Sequence, residues 1–362
     1  MPQVTILGGS GRIGCSIAQD LRQFCPQARI ILTGRRPTAP PKPLPGTYAT
    51  LDLNNYAALG TQIAASDLVV HCAGPFHHRD GRVLEICLDC GVDYLDVSDH
   101  RSFYQRAIAH HDRAVAAGVT AIVNTGIFPG ISNSLVRLAC ERLDRPETIQ
   151  LSYAVGGTGG AGLTVMRTTF LGLQHPFEVW QDERWQLVRP YSDREVVAFP
   201  APVGRVGVYW FDVPEAYTFT QTWPTVRSVT TKFGSYPDIY NRLTAAVAQL
   251  PRALLAHPQA IELLSRLGYG SAKLTDRFSG TGVAIAAVVT GLKGAASRQI
   301  SATLVHPNTA IAAGCGAGSI AAAILTGNLH QPGVYPVEAA LPTELFVDSL
   351  NARDMSIEVC ES

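Results

Sequence analysis

The sequence predicts an α/β protein with an N-terminal doubly wound parallel domain, an inserted α+β domain and a C-terminal return to the first domain. Three observations predict it. The chain opens with strand, glycine turn and helix in Val4-Thr-Ile-Leu-Gly-Gly-Ser-Gly-Arg-Ile-Gly14. Short apolar runs then alternate with helical stretches as far as Asn124, the pattern of a buried parallel sheet. From Ile149 that alternation gives way to runs of strands and runs of helices. A chain of 362 residues also exceeds one ordinary core.

The opening stretch carries the chemistry. Val4 to Leu7 reads as a short buried strand and Arg12 to Phe24 as a helix. Between them Gly9, Gly11 and Gly14 make G-x-G-x-x-G, preceded by Gly8. Such glycines permit a tight turn, close approach of a pyrophosphate, and close packing of helix on strand. The helix N-terminus offers N–H groups and partial positive charge to phosphates. Gly8, Gly9, Ser10, Gly11, Arg12, Ile13 and Gly14 are therefore candidate dinucleotide contacts.

The next elements follow in order. Ala28 to Thr33 is a second strand, ending in Gly34-Arg35-Arg36 and a proline-rich turn from Pro37 to Pro45. Thr47 to Leu53 is a third, with Asp52 at its end, and Asp67 to Cys72 a fourth, followed by Ala73-Gly74-Pro75-Phe76-His77-His78. Gly81 to Cys90 and Ser102 to Ala117 read as helices, Asp93 to Val97 and Thr120 to Asn124 as the fifth and sixth strands. Ligands of such sheets bind outside the carboxyl ends of the strands. Proteins that take NAD commonly carry an acid after the second strand for the ribose 2′-hydroxyl. Here Gly34, Arg35 and Arg36 stand there instead, and guanidinium groups suit a 2′-phosphate. The expected cofactor is NADP in preference to NAD. Asp52 reads either as an adenine neighbour or as a cap of the following turn. Ala73, Gly74, Pro75 and Phe76 are expected along the cofactor. His77, His78, Asp99 and His100 follow the fourth and fifth strands and are the candidate proton donors, with the choice among them open.

In the second half Ile149 to Val155 is a strand, leading to a glycine loop, Gly156 to Gly162, read either as a lid or turn or as a substrate contact. Thr164 to Leu173 is a helix. Val206 to Phe211, Tyr217 to Thr222 and Arg227 to Phe233 alternate like strands. Ser235 to Leu250 and Pro258 to Leu267 read as helices, Val283 to Val289 and Gln299 to Val305 as a hairpin, and Asn308 to Thr326 as a helix rich in small residues.

Composition excludes several classes. Lys plus Arg and Asp plus Glu both number 29, so no net charge draws the chain to nucleic acid or to anionic membrane. Hydrophobic content of 46% with 16% charged residues argues against disorder. The start shows no signal-peptide pattern, and Ala310 to Leu325 is too weakly apolar for a membrane span, so a cytoplasmic protein without an integral membrane segment is expected. Cys87 and Cys90 form one C-x-x-C with no second pair, and no metal site is expected.

The order GGSGRIG (8–14), TGRR (33–36), VVHCAGPF (69–76), CGVDYLDVSD (90–99) and NTGIFPGISNSL (124–135) resembles the saccharopine dehydrogenase-like reductases. GGTGGAGLT (156–164) and TGNLHQPGVYPVEAAL (326–341) extend the resemblance over nearly the whole chain. It implies an NAD(P)-binding Rossmann domain (1–130), an inserted α+β domain for substrate contacts and dimerisation (131–305), and a segment (306–362) packing back on the Rossmann domain. It implies an oxidoreductase, a homodimer, that moves hydride to or from a C=N or activated C=C bond of a small or lipid-like molecule. Phe128 stands where the family often has an acid, a departure from the amino-acid enzymes. A catalytically inactive NADPH-binding regulator or scaffold is the alternative. No Tyr-x-x-x-Lys pair follows the fourth or fifth strand, against an epimerase of the short-chain dehydrogenase type.

Overall fold

A computed structural model describes residues 1–36, 43–158, 162–255 and 257–362. Residues 37–42 of the expected proline-rich turn and 159–161 of the second glycine loop lie outside the described residues.

The chain begins β1 (Gln3–Leu7), α1 (Arg12–Phe24), β2 (Arg29–Gly34), β3 (Thr47–Thr50), α2 (Tyr56–Ala64), β4 (Leu68–His71), a 3₁₀ turn (Phe76–His78) and α3 (Arg82–Cys90). Next come β5 (Asp93–Asp96), α4 (Arg101–Ile108), α5 (His111–Ala117), β6 (Thr120–Val123), α6 (Ile131–Cys140), β7 (Arg145–Gly156) and α7 (Leu163–Leu171). They are followed by β8 (Phe177–Gln181), β9 (Arg184–Val188), β10 (Glu195–Phe199), β11 (Gly204–Trp210), α8 (Glu215–Thr222), β12 (Ser228–Tyr236), α9 (Ile239–Ala248), α10 (Arg252–Leu255) and α11 (Pro258–Ser279). The last elements are β13 (Gly282–Lys293), β14 (Ala296–His306), α12 (Thr309–Leu325), β15 (Gly333–Pro336), α13 (Val337–Ala340), α14 (Thr343–Asn351) and β16 (Glu358–Glu361).

Two compact units result. The first comprises Met1–Ile131 and Ala310–Arg353. Its sheet runs β15-β6-β5-β4-β1-β2-β3, and every pairing is parallel. This is the doubly wound order, with its reversal between β1 and β4. Central strands are continuous apolar runs because helices cover both faces: Val4, Ile6, Leu68, Val69 and Val70 have no exposed surface. The small residues of α12 let it lie against α1, with Gly314 beside Ser16 and Gly318 beside Asp20. An ion pair joins the ends of this unit. The Arg353 guanidinium donates from Nε and Nη2 to the two Asp20 oxygens, both at 2.7 Å, with both side chains at most 5% exposed. Arg353 also stacks over the Phe24 ring at 3.9 Å.

The second unit comprises Ser132–Thr309 and Asp354–Ser362. Its seven-stranded sheet runs β10-β11-β12-β7-β13-β14-β16, with β12 and β7 parallel and the rest antiparallel. Ala154, Phe199, Val206, Val208, Ala284 and Ala286 form a core on it. The fully buried Lys232 donates to the Asp193 carbonyl and carboxylate (both 2.8 Å) and to Glu195 (2.6 Å), so its ammonium group is satisfied.

Several expectations are corrected. Tyr217–Thr222 is not a strand but part of α8. Its apolar alternation is overridden by a helical turn that buries Ala216 and Phe219, while Thr220 and Thr222 return their hydroxyls to the Ala216 and Thr218 carbonyls. The expected helix Ser102–Ala117 breaks into α4 and α5, and His111 beyond the break receives the Val334 N–H of β15 at Nδ1 (3.3 Å). Ser235 and Tyr236 end β12 rather than begin a helix. Segment 306–362 does not all belong to the first unit, because β16 pairs with β14 at the edge of the second sheet.

Burial raises the Asp20 pKa and outweighs the opposing pull of Arg353, so the pair matters through mutual satisfaction more than net attraction. Replacing Arg353 by Met should cost about 3–5 kcal/mol in urea unfolding of the first unit. Adding Asp20→Leu should restore most of it; a double variant as unstable as the single would contradict the pairing.

Candidate functional site

The turn after β1 and the loop after β4 meet at the reversal point of the first sheet. Gly8 lies at φ +74°, and a Cβ there would stand 2.9 Å from the Ala73 Cα. The two backbones therefore touch with no room for a side chain. Gly14 is constrained by proximity: a Cβ would fall 2.7 Å from the Gly9 Cα and 2.9 Å from the Gly8 carbonyl oxygen. Gly11 precedes α1 as its N-cap and supplies no side-chain cap to the helix. The combination, a backbone cradle opening onto an uncapped helix N-terminus, is what a pyrophosphate requires.

The end of β2 forms the next part. The Arg36 carbonyl accepts from the Tyr48 hydroxyl (2.9 Å) and the Thr50 hydroxyl (3.1 Å) of β3, and the Gly34 carbonyl from the Leu51 N–H (2.9 Å). The Gly34-Arg35-Arg36 backbone is thereby pinned while both arginine side chains stay exposed. Ser10 reaches this corner too, since a Cβ on Gly34 would lie 2.7 Å from its Oγ. Asp52 accepts from the Asn54 N–H (3.0 Å), the turn-capping one of its two expected roles.

One residue here escaped the sequence reading. Arg79 is half-buried and donates from Nε to the Ala73 carbonyl at 2.7 Å. Burial lowers its pKa, and the positive charge of Arg35 lowers it further. A third guanidinium thus stands by the cradle. The signal was a cation one residue past His77-His78, in a stretch where the histidines drew attention.

Of the expected cofactor residues, Phe76 differs in placement. Its ring is buried, edge-on to His71 and to Phe103 at 5.0 Å each, so it braces the loop from beneath. His71 in that cluster is held neutral, its pKa driven down to about 3 by burial and by Arg79.

The candidate proton donors converge. His77 Nδ1 and His100 Nε2 are 2.9 Å apart, and His100 Nδ1 lies 2.8 Å from the Ser102 Oγ. The His78 ring is 4.9 Å from that of His77 and has no hydrogen bond to the pair among those seen. Burial, then the neighbouring His77 and Arg101, pull the His100 pKa down to about 4, so it is neutral at pH 7. Asp99 beside it is half-buried, and burial pushes its carboxyl up to about 6, with the charge of Asp96 adding to the shift. Asp96 and Asn124 hold this loop in place. The Asp96 carboxylate accepts the Ser98 and Asn124 N–H groups (2.9 and 3.0 Å), and the Asn124 amide donates to the Ser98 carbonyl and hydroxyl (2.9 Å each).

The saccharopine dehydrogenase NADP-binding domain model matches residues 4–122. A probable mitochondrial saccharopine dehydrogenase-like oxidoreductase of Arabidopsis thaliana is 32% identical over 150 residues, which is 36% of this chain and 33% of the relative, so the match spans a third of that protein. Among solved structures, apo saccharopine dehydrogenase (L-Glu forming) of Saccharomyces cerevisiae superposes over 100% of both chains with a TM-score of 0.73 at 13% identity. An engineered D-amino acid dehydrogenase bound to NADP+ covers 98% of this chain and 99% of its own, with a TM-score of 0.50 at 18% identity. Residues 4–122 thus resemble the saccharopine dehydrogenase NADP-binding domain in sequence, and the chain as a whole shares the fold of the yeast enzyme.

The Asp99 shift has a measurable consequence. A carboxyl whose folded pKa is raised contributes stability that is full below its unfolded value and lost as pH rises through about 6. Asp99→Asn should match the wild type in urea unfolding near about pH 4 and exceed it by about 1–2 kcal/mol near about pH 7.5. A difference independent of pH would contradict the shift.

Proposed function

We propose that this protein is an NADP-preferring oxidoreductase that transfers hydride to or from a C=N or activated C=C bond of a small or lipid-like substrate. One observation carries the preference: Arg35 and Arg36 stand where an acid would favour NAD, on a backbone pinned by Tyr48 and Thr50, with Arg79 near enough to feel Arg35. Gly8 to Gly14 would hold the pyrophosphate on the α1 N-terminus, and the arginines would hold the 2′-phosphate. Bound there, NADPH supplies the hydride.

What this chain must add is a proton and its placement. With the Ser102 hydroxyl donating to His100 Nδ1, His100 carries its proton on Nε2 and donates to His77 Nδ1, leaving the His77 proton on Nε2. Giving the Nε2 proton to substrate draws the His100 proton to His77 Nδ1 and the Ser102 proton to His100 Nδ1, with solvent returning a proton to Ser102, and these two reversed bonds leave His77 Nε2 able to accept. The pair therefore serves reduction and oxidation with one rearrangement, and the low pKa of His100 keeps that ring neutral at pH 7. His77 is the proposed donor, His100 a positioning residue, and Asp99 a second acid whose proton is held until about pH 6.

The second unit favours a substrate with few carboxylates. Arg167 forks onto Glu262 (2.7 and 3.0 Å), Arg194 pairs with Asp238 (3.3 Å) and Arg227 with Glu183 (3.0 Å). Three of its arginines are thus already engaged with acids of their own unit.

Consumption of bound NADPH in a single turnover, against a panel of imines and activated alkenes, tests the reading; NADPH binding without consumption by any member would leave the binding-only regulator. Fluorescence titration should show that Arg35→Ala with Arg36→Ala weakens NADPH more than NADH, by about 1.5–3 kcal/mol for each charge-assisted bond lost. Equal losses for both would remove the 2′-phosphate assignment. His77→Ala should lower turnover about 100-fold or more with NADPH affinity intact, and unchanged turnover would take the proton role from His77.

A further inference from the structure

Sixteen large hydrophobic side chains are exposed among the described residues, and eight of them fall between residues 239 and 278. Exposed apolar residues scattered singly need no explanation, but this is a concentration. Its centre is α11. Leu263, Leu267, Leu274 and Phe278 are 58%, 62%, 74% and 88% exposed. At 100° per residue they fall, with Gly270, within about 80° of one another around the helix. The opposite face does the packing: Ile261, Ser265 and Ala272 are buried, and Gly268 lies beside Phe170 of α7. α11 is therefore apolar on two sides and uses only one within the protein. The stripe continues onto neighbours, since Tyr240 of α9 donates to the Ser271 carbonyl at 3.0 Å, and Ile239 and Leu243 of α9 are each more than half exposed.

Charge decides what covers the stripe. Residues 239–279 hold five Lys and Arg against two acids, in a chain whose totals balance. Both acids are engaged. Glu262 is shared by Arg167 and Arg266, and Asp276 accepts the Thr158 N–H (2.7 Å) and hydroxyl (2.9 Å). Arg266 and Lys273 lie along the same edge of the stripe, where long stems let the charge reach a polar surface while the apolar residues sink below it. A second copy of α11 in an antiparallel two-fold pairing would set this basic edge against itself. An anionic headgroup layer would neutralise it. Among the described residues no helix is long and apolar enough to cross a membrane, so the segment lies on the surface rather than spanning it.

We propose that the second unit docks on anionic membrane surfaces through the exposed face of α11, with Leu263, Leu267, Leu274 and Phe278 entering the acyl boundary and Lys273 and Arg266 meeting the headgroups.

Flotation of the full chain with vesicles tests this. The protein should float with phosphatidylcholine vesicles containing phosphatidylglycerol and much less with phosphatidylcholine alone. Leu267→Asp with Leu274→Asp should lower partitioning at least about ten-fold, and Lys273→Glu about five-fold or more. Circular dichroism and NADPH titration confirm that the variants are folded. The proposal is overturned if the wild type fails to float with anionic vesicles, or if the leucine variant floats as well as the wild type. It is also overturned if neither floats and sedimentation shows a wild-type dimer that the leucine substitutions dissociate, because a second copy then covers the stripe.

Discussion

The first unit depends on one steric constraint: two backbone segments, after β1 and after β4, touch at Gly8 and Ala73. The parallel sheet forces its reversal there, and closing that point with any larger residue would push the two loops apart. Everything used to hold a nucleotide is arranged around this contact. α1 starts immediately beyond it, Arg79 reaches back to the Ala73 carbonyl, and His77 continues the same loop. The loop after β5 is brought to His77 by a separate device, the buried Asp96–Ser98–Asn124 knot, which spends polar side chains on position and leaves Asp99 and His100 beside the opening.

The parallel sheet was legible because its strands are buried on both faces. Runs such as Val4-Thr-Ile-Leu and Leu68-Val-Val-His carry no alternation that a helix could mimic, and the glycine turn fixes where the first one ends. The second unit was less legible, for identifiable reasons. In α8 the aromatic and threonine alternation imitates a strand until tertiary burial and side-chain bonding to the backbone decide otherwise. β15 and β16 are four residues long and exist only because an edge strand is already there to receive them. At the candidate site, residue types were readable but directions were not. Phe76 turns beneath its loop, whereas Arg79, passed over beside two histidines, comes to the cradle.

The two units use charge in opposite ways. In the first, exposed guanidinium groups on a fixed backbone remain available to an anion. In the second, Arg167, Arg194 and Arg227 are tied to acids, and Lys232 is buried with three oxygen acceptors. Aromatic residues there behave likewise. Trp180 donates its indole N–H to the Val226 carbonyl and packs edge-on to Trp185, which stacks on Tyr217. They build the unit, so the apolar surface that is left over, on α11, stands out from them.

The bond between Asp20 and Arg353 spans 333 positions of chain. A ribosome makes the first six strands early, yet the unit they belong to lacks β15, α12 and its ion pair until residues 310–353 have followed the insertion. The second unit, continuous from Ser132 to Thr309, is complete but for one edge strand before then. Vectorial synthesis therefore asks the first unit to wait, partly assembled, while the insertion folds ahead of it, and leaves residues 310–353 to seal the older part of the chain.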